Sequence, residues 1–154
     1  PTVKQLVDRI RTRIPDAALG SDLIVGFPGE TLAHFADLTQ LVEVLPLTHL
    51  HVFPYSDRPG TAAGNMPAQV HGREIRARGA ALREIGRRLT HRFHQSQVGT
   101  LRQALTVDDG THVVTDNYLK LPLDRALPRN EWVQVSVCGA PGALAALVNH
   151  ARSL

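Results

Sequence analysis

The sequence predicts an α/β portion followed by an all-β portion, on three observations. Asp22-Leu-Ile-Val-Gly-Phe-Pro-Gly-Glu-Thr31 reads as a buried parallel strand, a sharp turn and a helix start. A helical period over residues 31–45 then gives way to a strand at 49–53, and a helix between two strands makes a right-handed crossover with parallel strands. After Gly99 the period changes from helical to alternating. Five short strands with frequent turns suggest a small closed barrel, which removes exposed strand edges.

Taken in order, residues 2–14 place Val3, Leu6, Val7, Ile10 and Ile14 at helical spacing, with Thr2 as the cap. Lys4, Arg9, Arg11 and Arg13 read as a solvated face. Pro15-Asp16 ends this helix, and residues 17–25 enter the first strand. In the turn, Gly26 and Gly29 allow positive φ or close approach, and Pro28 stiffens it. Glu30 and Thr31 favour a helix N-terminus by charge and by capping. Leu32, Phe35, Leu38, Leu41, Val42 and Leu45 form the apolar stripe of the next helix, and Pro46 closes it. His49 and His51 share one strand face. With no third ligand near in sequence, packed and hydrogen-bonded histidines are preferred over a metal pair.

Residues 54–67 form a Pro- and Gly-rich loop, and 67–98 a long helical segment. Its Val70, Ile75, Leu82, Ile85, Leu89 and Phe93 make the apolar stripe. Arg73, Arg76, Arg78, Arg83, Arg87, Arg88 and Arg92 stand against only Glu74 and Glu84. That is either a phosphate-following surface or a solvated helix. Strands follow at 100–107, 111–115, 117–123, 131–137 and 143–148, with turns at 108–110, 128–130 and 139–142. Trp132, Val133, Val135 and Val137 argue for a mostly buried fourth strand.

Composition narrows the class. The 154 residues are 43% hydrophobic with a formal charge of +3, enough for a real core and too little charge to identify a nucleic-acid partner alone. A single cysteine, Cys138, rules out a disulfide framework or a cysteine-only metal site within one chain. No apolar run approaches the roughly 20 residues of a membrane span, so a cytoplasmic location is the default expectation.

The ordered set DLIVGFPGET (22–31), LHVFPYSDRPGT (50–61) and TDNYLK (115–120) resembles the C-terminal part of the radical S-adenosylmethionine tRNA methylthiotransferases. HVFPYS is most similar to the branch acting on N6-threonylcarbamoyladenosine. The resemblance implies a C-terminal slice of a radical-SAM, partial TIM-type barrel over 1–66 and a basic connecting helix over 67–98. It implies a five-stranded, OB-like TRAM β-barrel that binds RNA over 99–154. The family needs three upstream cysteines for its 4Fe–4S cluster, so the sequence looks like a fragment of an enzyme. It is expected to bind tRNA but to carry no cluster and no activity alone. One departure is Leu32-Ala33-His34, where the family usually has acidic residues.

The resemblance places Ile24, Val25, Gly26 and Phe27, with Val52, Phe53 and Pro54, beside the adenosine of S-adenosylmethionine. Arg58, Arg102, Asn117, Tyr118 and Lys120 make up the expected RNA-binding set, against the anticodon stem-loop. For Arg58 an internal salt bridge is the rival role, and for Tyr118 a place in the core. Cys138 is read as structural, and no residue is assigned as acid, base or nucleophile. Two other readings remain. One is a non-catalytic RNA-binding barrel on an α/β scaffold, and the other a small phosphate- or nucleotide-binding enzyme using the turn at 26–29. In the fragment reading the partners include the missing N-terminal part of the same polypeptide, and an exposed edge near Ile24 invites self-association.

Overall fold

A computed structural model describes residues 2–140 and 143–148. The chain divides into two compact units, Pro1–Thr90 and His91–Leu154.

The first unit is a two-stranded parallel sheet with helices. α1 (Val3–Arg13) opens with a capping box, in which Thr2 accepts from the Gln5 backbone and the Gln5 side chain accepts from Thr2. β1 (Gly20–Val25) pairs in parallel with β2 (His49–Pro54), and α2 (Leu32–Val44) is the crossover between them. The cap of α2 repairs the departure noted at 32–34. Thr31 accepts from the His34 amide at 3.2 Å, and His34 Nδ1 accepts from the Thr31 amide at 3.4 Å. Histidine thus fills the place usually taken by Glu or Gln. α3 (Gly72–Gln97) begins later than the sequence suggests. His71 precedes it, accepting from the Glu74 and Ile75 amides through its carbonyl and from the Arg73 amide through its ring.

One side of the sheet carries the core. Leu23 and Val25 of β1 and Leu50 and Val52 of β2 pack with Val42, Leu45, Leu82, Ile85 and Leu89. Fully burying such side chains contributes roughly 1.5–3 kcal/mol each. The stripe expected on α2 is narrower than its spacing implies, because Leu32 and Leu41 are exposed and only Phe35, Leu38, Val42 and Leu45 join the core. Arg11 is no solvated cation: it donates to the carbonyls of Pro15, Ala17 and Pro46. Arg78 is likewise no part of a basic surface. It is 6% exposed, and its guanidinium donates to the Glu30 carboxylate at 2.6 Å.

The second unit is a curled antiparallel sheet of β3 (Leu101–Val107), β4 (His112–Thr115), β5 (Lys120–Pro122), β6 (Trp132–Ala140) and β7 (Ala143–Val148), in the order β5-β4-β3-β6-β7. A single parallel bridge, Leu123 to Ala146, brings its ends together into a nearly closed barrel. Inside lie Ala104, Val113, Leu119, Leu121, Val135, Val137 and Ala146. β5 is shorter than expected because Tyr118, at φ +66°, turns the chain where a strand was expected. Of the turn expected at 139–142, Gly139 and Ala140 belong to β6, and 141–142 lie outside the described residues. Trp132 corrects a further expectation, being 70% exposed. A strand buries one parity only, and Val135 and Val137 claim it, so Trp132 and Gln134 face outward.

Arg78→Ala would leave Glu30 buried without its partner. It should cost about 3–5 kcal/mol, read from denaturant unfolding by circular dichroism. Trp132→Thr should stay within about 0.5 kcal/mol. Equal costs for the two substitutions would contradict these placements.

Candidate functional site

The strand face turned away from the helices carries the first candidate site. Gly20, Asp22 and Ile24 of β1 lie in register with His49, His51 and Phe53 of β2. The alternation that buries Leu23 and Val25 leaves Asp22 and Ile24 outside. At the carboxyl ends of both strands the chain turns sharply. Gly26, at φ +79°, sits so close to α3 that a Cβ there would lie 2.4 Å from Ile75, so only glycine fits. The Gly26 amide donates to the Glu30 carboxylate at 2.7 Å, and the Gly29 amide to the Ala68 carbonyl at 2.9 Å. Glu30 therefore spends its charge on the turn and on Arg78, rather than on the helix dipole expected from its position.

Phe27 leaves this turn and meets Tyr55 edge to face, with ring centroids 5.3 Å apart at 72°. β2 continues by one hydrogen bond, Tyr55 amide to Val25 carbonyl. A loop then folds back over the strand ends. Thr61 ties it by donating from its hydroxyl, at 2.8 Å, and its amide to the Arg58 carbonyl. The Gly64 amide donates to the same hydroxyl. Between loop and sheet lies a hollow of about 590 Å³, walled by Ile24, Phe27, Phe53, Pro54 and Tyr55, with Asp22 and Arg58 as its charged groups. Sites for small molecules are typically roughly 300–1,000 Å³ and mostly apolar with a few polar groups. This one falls within that range, with mainly apolar walls.

Four of the seven residues expected beside an adenosine, Ile24, Phe27, Phe53 and Pro54, meet in this hollow. Val25 and Val52 point to the opposite face, into the core or against it, and Gly26 lies beneath Ile75. Asp22, Tyr55, Ser56 and Ala63 also line the hollow but were not singled out from sequence. Asp22 was legible, since it lies two residues before Ile24 and so shares its face. Burial, and then the Asp57 carboxylate, push the Tyr55 hydroxyl above its ordinary pKa.

Farther along the same sheet face, the His49 and His51 rings stand edge to face at 5.3 Å. Thr48 hydroxyl lies 3.1 Å from the Leu19 carbonyl and 2.9 Å from His49 Nδ1. The hydroxyl has one proton, so if it donates to Leu19 then His49 donates from Nδ1, which fixes the tautomer. Among the described residues no group of three His, Cys, Asp or Glu is placed to hold a metal ion. Cys138 sits on β6 with its thiol 3.8 Å from the Ser136 carbonyl. The described donors therefore do not fit an iron–sulfur cluster.

The barrel residues expected at an RNA surface separate into two groups. Asn117 is 6% exposed and donates to Gln97 Oε1 at 2.8 Å, and Arg102 donates to the same oxygen at 2.7 Å. Both brace the interior. Tyr118 is 85% exposed, which decides against its being core filler. Lys120 is on the surface, 2.9 Å from Asp108. Arg58 belongs to the other unit and lines the hollow.

A βαβ unit with an aromatic hollow at the carboxyl ends of its strands, joined in sequence to a small antiparallel barrel, defines an α/β unit with a β-barrel module. No family model matches the chain. It is 41% identical over 100 residues to tRNA-2-methylthio-N(6)-dimethylallyladenosine synthase of Clavibacter michiganensis, covering 65% of this chain and 19% of that protein. It is 43% identical over 102 residues to ribosomal protein uS12 methylthiotransferase RimO of Nitratidesulfovibrio vulgaris, 66% of this chain and 24% of the relative. Against threonylcarbamoyladenosine tRNA methylthiotransferase MtaB of Treponema pallidum the identity is 36% over 121 residues, 79% and 25% of the two chains. The chain thus belongs to the methylthiotransferase family, and spans about a fifth to a quarter of the length of these curated relatives.

The histidine pair gives a pH prediction. Burial, then the neighbouring His51, hold His49 below its ordinary 6.5, and Asp22 opposes them. The folded state thus binds fewer protons than the unfolded one in that range. The His49 contribution is complete above pH 6.5 and falls as the pH drops through 6.5 toward the lower folded value. His49→Gln should flatten this part of the acid limb in urea midpoints measured against pH. An unchanged slope there would refute the assignment.

Proposed function

We propose that this chain serves a methylthiotransferase that adds a methylthio group at C2 of a hypermodified adenosine, N6-threonylcarbamoyladenosine, next to the tRNA anticodon. In this reading residues 1–66 are the last part of a radical-SAM barrel, 67–98 a connecting helix and 99–154 a TRAM-like barrel that grips RNA. S-adenosylmethionine and 4Fe–4S chemistry belong to the whole enzyme. This chain alone supplies the wall against the adenosine and binds the anticodon stem-loop without catalysing. The observation that carries the reading is the meeting of Ile24, Phe27, Phe53 and Pro54 in one hollow at the carboxyl ends of parallel strands. That is where such folds place ligands. Tyr118 and Lys120, exposed on the barrel, are suited to stack on a base and meet a phosphate.

A second substrate class is favoured by two observations. One relative in the 41–43% identity range is named for ribosomal protein uS12. Over residues 99–148 the cations Arg102, Lys120, Arg125 and Arg129 are also outnumbered by Asp108, Asp109, Asp116, Asp124 and Glu131. A protein substrate suits such a surface better than a polyanion does.

Titration of the chain with an anticodon stem-loop and, separately, with uS12 distinguishes the two. In the RNA reading, binding falls steeply with salt as counterions are released. Tyr118→Gly with Lys120→Ala then weakens binding by about tenfold, while Arg9→Ala with Arg13→Ala changes it little. Glycine accepts the positive φ at 118, so the double variant should keep its fold. Salt-independent binding to uS12 alone would replace this reading with the other.

The outer edge of β1 has no strand partner among the described residues. In the proposed parent enzyme the rest of the same polypeptide covers it, and without that cover it promotes self-association. Amides of 20–25 should therefore exchange faster than those of 132–137 in hydrogen exchange. A monomer with equal protection in both strands would count against the barrel-slice reading.

A further inference from the structure

Arg58 is the one cation among the residues lining the hollow. The salt bridge offered as its structural role is not what ties the loop. That work falls to its backbone carbonyl, which accepts both the hydroxyl and the amide of Thr61. The 3-10 turn Ala63–Asn65 follows directly, with the Gly64 amide on the Thr61 hydroxyl. Main-chain bonds thus hold the loop in shape while the side chain remains exposed at the rim. No ion pair engages its guanidinium among the described residues. The carboxylate of the hollow, Asp22, lies within β1, whereas Arg58 lies beyond the end of β2. Ile24, Phe27, Phe53 and Tyr55 line the same hollow.

We propose that Arg58 is the anion subsite of this hollow, its guanidinium receiving a phosphate or carboxylate attached to an adenine-type ring enclosed by Ile24, Phe27 and Phe53. The planar fork of arginine matches either anion by paired hydrogen bonds. The inference rests on the adenosine reading of the hollow and adds the polar group that the ring must carry. A nucleotide phosphate of the RNA and the carboxylate of the adenosylmethionine side chain share this chemistry. Asp22 would repel either anion from the far end, which orients the ligand with its charge at the rim.

Three probes test it by calorimetric titration of the whole chain: 5′-methylthioadenosine, which is neutral, 5′-AMP and S-adenosylhomocysteine. At least one of the two probes that carry an anionic group, the AMP phosphate or the carboxylate of zwitterionic S-adenosylhomocysteine, should bind about tenfold more tightly than methylthioadenosine, as expected for charge-assisted hydrogen bonds. Arg58→Gln should abolish that advantage while leaving methylthioadenosine within about twofold of its original affinity. Arg58→Lys should restore part of it, as a point charge without the fork. Preference for AMP identifies the phosphate source, and preference for S-adenosylhomocysteine the carboxylate. Equal binding of all three probes, or equal loss of all three in Arg58→Gln, would overturn the subsite while leaving the adenosine reading intact. Absence of binding by every probe would overturn both.

Discussion

The geometry of the first unit hangs on one carboxylate. Glu30 stands where helix α2 begins, and its two oxygens go in different directions. One accepts the Gly26 amide at 2.7 Å, which closes the turn after β1, and the other meets Arg78 of α3 at 2.6 Å. Arg78 also donates to the Glu30 carbonyl at 3.1 Å and lies 5.6 Å from the centre of the Phe35 ring. Turn, crossover helix and third helix are therefore joined through a single buried ion pair. Such a pair need not add net stability, because desolvation opposes its attraction. Its effect is specificity. With the Gly26 amide satisfied and Ile75 packed against it, the turn is held in the shape from which Phe27 extends to meet Tyr55.

This also explains why the glycine-rich turn is not a phosphate loop. A phosphate site of that kind needs amide groups left free at a helix N-terminus. Here the Gly26 amide is occupied by Glu30, the Gly29 amide by the Ala68 carbonyl, and the His34 amide by Thr31. The donors of the turn are spent on structure. What faces a ligand is the side chains on the outer strand face, and with them the charge of Arg58.

The elements were legible where periodicity was long and bounded by Pro or Gly. Helices α1 and α2, the parallel pair and the barrel strands all follow that rule. Failures came where one pattern served two purposes. Trp132, Val133, Val135 and Val137 look uniformly apolar, but the pleat admits only the odd-numbered residues to the interior. Arg78 belongs to an arginine-rich run, yet its position on the helix aims it at the core, where Glu30 waits 48 residues back in the chain. Arg11 is similar, its partners being carbonyls that only the fold brings near. Charges read as solvated faces become structural when the partner is remote in sequence, and no local pattern reveals that.

The same distinction separates the binding candidates. Asn117 and Arg102 have the chemistry of an RNA contact and face inward, sharing one acceptor, Gln97 Oε1. Their interior network holds the ends of the tight β4–β5 connection, since Asn117 also receives the Thr115 hydroxyl at 2.7 Å. The connection in turn places Tyr118 in the left-handed region, at φ +66°, and almost wholly in solvent. A tyrosine in that conformation is strained by roughly 1–2 kcal/mol relative to glycine, and gains nothing from burial in return. The fold retains a large ring at a position where packing gives no reason for it. Strain of this kind concentrates at functional sites, which makes Tyr118, rather than the inward-facing pair beside it, the residue on which a barrel contact would turn.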